Sequence, residues 1–292
     1  MIDERSLNEE IGRVSTLQTL VRAYGEIAAV RMRKTRFSVL ANREFLAQLN
    51  GVFEDVRASY AEEVAALAKK THRPAQVTFL AHNGKTVSVL ISANTGLYGD
   101  IVLSTLRLFM DEVRQGSSEV TVVGRHGLSL FLAEEPGRPY SYFDLPDDKL
   151  DAANMAQIIK HVVQYSEIHV FYGRFYSVIT QKPEKLEVSA EISLTTTTRQ
   201  KPRHYLFEPS LENILMFFET EIFASLFEQV IRESQLAKLA SRVLAMDRAD
   251  EKTRQEIDKL YLDKNRLRHR AINRKLLNAL TSFVAWGGAR SR

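Results

Sequence analysis

Three stretches of this sequence carry residue types that could grip a phosphate or a partner's charge. Gly84-Lys85-Thr86 has the ending of a phosphate-binding loop, in which backbone amides cradle the phosphates and the lysine meets their charge. The full motif G-x-x-x-x-G-K needs an earlier glycine where this chain has Phe79, so a turn glycine with a polar neighbour is the simpler reading. Gly96-Leu97-Tyr98-Gly99 falls between an expected strand and an expected helix, where helix-terminal amides can hold an anion. It lacks the third glycine of a dinucleotide fingerprint, and no acidic residue stands in a clear ribose-binding position, so tight turn geometry accounts for it. The densest charge feature runs from Lys264 through Arg266, Arg268, His269 and Arg270 to Arg274 and Lys275. Two readings of it stay open: the solvated face of a helix, and a cationic collar facing acidic groups on a surrounding partner. Nucleic acid is disfavoured, because such a site wants aromatic stacking residues and only Tyr261 is nearby.

No other constellation carries chemistry. The seven histidines, His72, His82, His126, His161, His169, His204 and His269, are scattered, and most are expected to face solvent. None pairs with another at i, i+4 or joins a compact acidic cluster, so no metal site is expected. There is no Gly-x-Ser-x-Gly elbow and no evident Ser, His and acid set. No catalytic residue and no cofactor is assigned. The absence of cysteine removes disulfides, thiolate metal sites and cysteine nucleophiles. With a net charge of +4, the chain can meet an acidic partner without announcing nucleic acid. No apolar run approaches the roughly eighteen residues that span a bilayer. Asp3, Glu4, Glu9 and Glu10 interrupt any signal-like apolar core at the N-terminus and are too acidic for a transit peptide, which favours a prokaryotic cytosol.

The elements that would carry these residues are two long helices around a mixed middle. Leu7, Ile11, Val14, Leu17, Val21, Tyr24 and Ala28 step by three and four, the rhythm of a coiled-coil stripe, and the pattern continues through Val56 until Pro74 at the latest. From Pro209-Ser210 onward, Leu236, Leu239, Val243, Met246, Ile257, Leu260 and Leu267 keep the same seam, interrupted by Asp250 with Thr253 and by Lys264. A helix from Ser210 to Trp286 would extend roughly 110 Å at about 1.5 Å per residue, so it must pair with the first helix and project. Between them, Gln76–Ala81 and Thr86–Ser92 flank a hairpin turn at His82-Asn83-Gly84-Lys85. Ile101–Arg114 and Lys149–Tyr165 read as helices. Glu119–Val123, Leu128–Leu132, Glu167–Thr180 and Lys185–Thr198 read as strands. The expected fold is α+β: a long antiparallel coiled coil of the N- and C-terminal helices with an inserted small Rossmann-like α/β domain. Its segments are 1–73 (coiled-coil helix), 74–208 (α/β foot) and 209–292 (coiled-coil helix).

Read in order along the chain, several short segments resemble the gamma subunits of F-type ATP synthases. They are IGRVSTLQTLVRAYGEIAAVRMRK over 11–34, Ser92-Ala93-Asn94-Thr95-Gly96-Leu97-Tyr98-Gly99, Val122-Val123-Gly124-Arg125, and Phe207-Glu208-Pro209-Ser210. Glu233-Ser234, Arg242, Ala245-Met246, Arg268 and Ile272 follow in family order. The resemblance implies a non-catalytic rotor shaft, one copy per complex. It would thread a ring of alpha and beta subunits, with its foot beside the epsilon subunit and the membrane ring of c subunits. ATP would be made or hydrolysed on the beta subunits, and the complex would lie peripherally on the cytoplasmic face of the prokaryotic inner membrane. The resemblance also implies beta-subunit contacts at Arg22, Ile27, Arg31, Met32, Arg268 and His269, and an apolar tip of Leu280, Phe283, Val284 and Trp286 turning in a sleeve. His269 stands where the family has glutamine, Ala237-Lys238 where it has serine-glutamate, and Lys275 where it has a late glutamate. Ala93 and Asn94 displace an aspartate, and Gly25 sits inside the first helix at a cost of about 1 kcal/mol against alanine. These departures fit a divergent branch, such as the alternate ATPase operons that some prokaryotes carry. The rival reading is a non-rotary coiled-coil scaffold.

Overall fold

The stretch 87–91 is buried on both faces, and a strand of that kind has to lie in the middle of a covered sheet. The computed structural model describes residues 4–59, 76–77, 83–147, 152–189, 192–193 and 211–288. The helices are α1 (Glu4–Ser59), α2 (Ile101–Gln115), α3 (Arg125–Glu134), α4 (Ala152–Val162) and α5 (Leu211–Gly288). The strands are β1 (Gln76–Val77), β2 (Thr86–Ile91), β3 (Glu119–Val123), β4 (Ser141–Phe143), β5 (Glu167–Phe175), β6 (Gln181–Ser189) and β7 (Ile192–Ser193). Long terminal helices with an inserted Rossmann-like sheet are the expected architecture. The chain divides into two compact units, Met1–Ile27 with Val243–Arg292, and Ala28–Arg242.

In the first unit, α1 and α5 run antiparallel. Leu7 and Ile11 pack with Leu260, Val14 and Leu267 flank them, and Arg22 bonds Asp250 at 2.8 Å. Gly25 faces Met246, so partners fall in number on α5 as they rise on α1. The seam differs from the expected stripe at two positions. Leu17 and Tyr24 stand 51% and 48% exposed. Gln18 and Gly25 take the inward places, because steps of seven from Ile11 land on them.

The second unit holds the five-stranded sheet, in the order β4-β3-β2-β5-β6. β2 is parallel to β3 and β5, β3 is parallel to β4, and β6 closes the far edge antiparallel to β5. One face packs Val87, Val89 and Val170 against Ile158 and Val162 of α4 and Phe227, Val230 and Ile231 of α5. The other packs Leu90, Val122 and Phe171 against Leu106, Phe109 and Met110 of α2 and Phe131 of α3. α1 and α5 are also antiparallel here: Asn42 donates to the Ser225 carbonyl and to Gln229, and the Phe53 and Phe218 rings lie 5.6 Å apart.

Two local expectations are corrected. Leu128–Leu132 lies in helix α3, although Leu, Ser, Leu, Phe, Leu alternates like a strand. Gly124 turns the chain at φ +104, the Gly124 carbonyl accepts from the Leu128 amide, and Gly127 and Phe131, one helical turn apart, are the buried pair. The hairpin is also absent as drawn: β1 pairs with β7 (Gln76 opposite Ser193), while β2 takes the sheet centre between β3 and β5. Its two buried faces explain this, since a peripheral hairpin would leave one of them in water. Phe79, His82, Pro74 and the Phe207–Ser210 lead-in lie outside the described residues.

Candidate functional site

From β2 the chain winds outward to β3 and β4, then crosses to β5 on the other side of β2. The strand order therefore reverses between β2 and β5, and open α/β sheets bind their ligands in the crevice outside the carboxyl ends of such a strand pair. Here that crevice is filled by α5. Lys238 Nζ donates to the Ser92 carbonyl at 2.6 Å, just past the end of β2, and lies 3.3 Å from Asp147 Oδ1. A Cβ on Gly173, near the end of β5, would sit 2.8 Å from the Ile101 side chain and 3.5 Å from Ala237 Cβ. Among the described residues, side chains of α5 and α2 occupy that place.

The loop after β2 makes the point chemically. In dinucleotide folds this loop aims backbone amides at an anion. In this chain the amides of Asn94 and Thr95 donate to Asp147 Oδ2 at 3.0 and 2.9 Å, so the anion they cradle is the chain's own carboxylate. The loop's carbonyls face cations: Arg242 donates to the Gly96 carbonyl at 2.8 Å and the Leu97 carbonyl at 3.2 Å, with its guanidinium 3.7 Å from the Tyr98 ring centre. Leu97 adopts φ +66 and Gly99 φ +63 to turn those carbonyls inward, which confirms tight turn geometry for the glycine segment. Burial pushes the Lys238 ammonium below its ordinary value, with Asp147 opposing, and burial followed by the Asp147 charge pushes the Tyr98 phenol up.

The other sequence candidates dissolve into structure. Gly84 is a turn residue at φ +74, and Lys85 pairs with Glu119 at 2.6 Å. Among the described residues no group of three or more His, Asp or Glu could hold a metal ion. Of the described histidines only His269 is exposed; His126, His161 and His169 are half-buried, against expectation. His161 lies 3.1 Å from Thr121 Oγ1 and edge-on to Tyr165, and burial lowers its affinity for a proton. Its helix lies against the sheet, so an imidazole on the inner face is drawn into the packing.

The positions that the resemblance assigns to beta-subunit contacts lie mostly at the surface. Arg22 is tied to Asp250, Ile27 is 50% exposed, Arg31 is exposed and Met32 is half-buried. Arg268 and His269 stand exposed on α5 within a basic run that is largely solvent-facing, which leaves it available as a collar. Leu280 is 62% exposed, as are Leu276 and Leu277 to a similar degree; the side chains of Phe283, Val284 and Trp286 lie outside the described residues. Among the described residues no hydrogen bond or ion pair joins any two of these positions. The sequence reading missed an exposed apolar stripe on α1, Leu17, Leu20, Tyr24 and Ile27. Its signal was a second run of three- and four-residue steps beside the seam.

Long antiparallel terminal helices with an inserted Rossmann-like sheet, whose switch point is occupied by one of those helices, define the architecture. The chain belongs to the ATP synthase family, whose profile matches residues 3–285. It is 27% identical over 293 residues to the ATP synthase gamma chain of Moorella thermoacetica, covering 98% of this chain and 99% of the relative. It is 25% identical over 289 residues to that of Desulforamulus reducens, covering 94% and 96%. In fold it is similar to a chain of the central stalk and c-ring of the Tetrahymena thermophila mitochondrial ATP synthase, with a TM-score of 0.58, 20% identity, and coverage of 79% of this chain and 99% of that one. A chain of the Euglena gracilis mitochondrial ATP synthase gives a TM-score of 0.56 at 13% identity, covering 89% and 96%.

Proposed function

We propose that this chain is the central rotor shaft, the gamma subunit, of a rotary F-type ATP synthase. It couples ion flow through the membrane sector to ATP synthesis or hydrolysis on a ring of alpha and beta subunits. The observation that carries the reading is the near-complete family match over residues 3–285, on a chain whose long helices keep apolar and cationic side chains in solvent. A stand-alone protein gains nothing from exposing Leu17, Leu20, Tyr24 and Ile27 in a row, whereas a shaft enclosed by a ring covers them.

In this reading the chain is non-catalytic and ATP chemistry belongs to the beta subunits. Arg22, Ile27, Arg31, Met32, Arg268 and His269 meet the beta subunits, and Leu280, Phe283, Val284 and Trp286 form the tip inside the sleeve. Residues 1–73 and 209–292 are the shaft and 74–208 the foot, which meets the epsilon subunit and the c ring. Among the described residues no helix is long and apolar enough to cross a membrane, in keeping with a peripheral place on the cytoplasmic face of a prokaryotic inner membrane.

The test is reconstitution with the partner alpha and beta subunits, followed by complex mass and ATP hydrolysis. One copy of this chain per ring, with activity that depends on it, supports the shaft; a chain that stays monomeric beside both subunits sinks it. Removal of residues 282–292 separates the shaft from a scaffold, since only a seated tip weakens ring binding when it is lost.

A further inference from the structure

The contacts that close the crevice are unusual in kind. Helix α5 meets the sheet face through Phe227, Val230 and Ile231, and apolar contact of that sort is non-directional, so it sets register less sharply than paired charges do. At the carboxyl end of the sheet the contacts become polar and directional. Lys238 reaches the Ser92 carbonyl and Asp147, while Arg242 reaches two loop carbonyls and Thr95 Oγ1 and stacks on Tyr98. Lys238 is 7% exposed and lies between the buried Leu236 and Leu239, where a leucine or methionine of similar volume would give an equally stable core. A buried ion pair retained where packing alone would suffice is best attested as a device that fixes register.

A second anchor of opposite sign lies nearer the helix start. Glu233, also buried, accepts from Arg43 of α1 at 2.7 Å and lies 3.7 Å from Arg174 at the end of β5. Along α5 the order is therefore acid at 233 facing two arginines, then base at 238 facing an aspartate. Sliding α5 along its axis one way carries Lys238 toward Arg43 and Arg174. Sliding it the other way carries Glu233 toward Asp147. Either slip exchanges an attractive pair for a like-charge one, so the charge pattern rejects both wrong registers.

We infer that Lys238 and Arg242, gripped by Asp147 and the Ser92–Tyr98 loop, are the clamp that stops α5 slipping against the α/β domain when torque passes through the shaft. The inference rests on the shaft reading above. These are positioning residues: they touch no substrate and act by holding the helix that bears the load to the domain that turns with it.

The experiment uses the full complex, with its alpha, beta, epsilon and c-ring partners, in lipid vesicles. ATP hydrolysis and uptake of the coupling ion are followed together, first without and then against an imposed ion gradient. Lys238→Met removes the charge at nearly constant volume, and Lys238→Met with Asp147→Asn removes both charges so that no unpaired ion threatens folding. Lys160→Met, on the exposed side of α4, is the control. The clamp predicts wild-type hydrolysis and ion uptake without a gradient. Against the gradient, ions moved per ATP fall severalfold in both Lys238 variants but not in the control. If the double variant keeps the wild-type ratio under load, the clamp is overturned. Equal losses with and without load assign the pair to folding and overturn it as well. Should the unaltered chain fail to assemble with alpha and beta, the shaft reading falls first and the clamp with it.

Discussion

Gly25 of α1 faces Met246 of α5 so closely that a Cβ on the glycine would come within 3.3 Å of the methionine's own Cβ. The glycine that weakens the first helix by its propensity is thus the residue that lets the two helices approach. Gly25→Ala is expected to be nearly neutral, because the helix gain of about 1 kcal/mol is offset by the tight contact. In a Met246→Gly background, which removes that Cβ, the same change should stabilise by about 1 kcal/mol. Chemical denaturation of the four chains of this double-mutant cycle measures the coupling, and a Gly25→Ala effect independent of Met246 would show that the close approach does not matter.

Asp250 titrates against the same helix pair. The hydrogen bond from Arg22 holds its carboxyl below the ordinary 3.8. A carboxyl depressed in the folded state contributes stability that is complete above its unfolded value and is lost as pH falls through its folded value. Asp250→Asn should therefore lower the melting temperature at about pH 6 and lose that difference at about pH 2 to 3. A deficit of the same size at both values contradicts the assignment.

Glu233 should be costly to truncate. Glu233→Ala removes the buried acid that Arg43 and Arg174 share, and since both arginines remain partly in solvent the cost is about 1.5 kcal/mol, the lower end for a hydrogen bond to a charged group. Glu233→Gln keeps an acceptor and should cost less than half as much. Equilibrium unfolding of the two variants decides, and equal effects would mean that the charge is immaterial.

Gly127, on the first turn of α3, has no room for a side chain: its Cβ would lie 2.2 Å from Ser92 Cβ. Gly127→Ala should destabilise by about 2 to 3 kcal/mol, the upper part of the usual overpacking range. Ser92→Gly with Gly127→Ala should recover most of that loss, because it removes the facing atom and a hydroxyl that has no partner among the described residues. Failure of the pair to recover would place the fault in the backbone of α3.

The exposed stripe tests the assembly itself. Leu20→Ser with Ile27→Ser replaces side chains that are 52% and 50% exposed, so stability of the isolated chain should change by less than about 0.5 kcal/mol. Binding to the alpha and beta ring should weaken at least several-fold, as read from co-sedimentation at graded concentrations. Unchanged binding would remove this face from the contact with the ring.

The long helices were legible because their periodicity is sustained far beyond ordinary helix length, so errors at single positions could not hide it. Those errors were real. Leu17 and Tyr24 look like seam residues by hydrophobicity, yet the heptad places Gln18 and Gly25 inward, and hydrophobicity cannot tell a seam from a second apolar face beside it. Leu128–Leu132 alternates like a strand, and only the tertiary setting of Gly124 and Phe131 makes it a helix. The crevice was hidden altogether. A lysine in a long charged helix reads as solvated, and nothing local ties Lys238 to Asp147 or to Ser92, which are 91 and 146 residues away in the chain.

The loop after β2 offers carbonyls to its own arginine and lysine and amides to its own aspartate, so the polar groups that could meet a ligand there are taken by the chain itself. A small molecule aimed at that crevice would meet an occupied seat and would have to evict a helix before touching the loop. Such a compound would therefore act as a wedge, parting the shaft from its foot, and its binding would be read as mechanical failure under load with every catalytic step left intact.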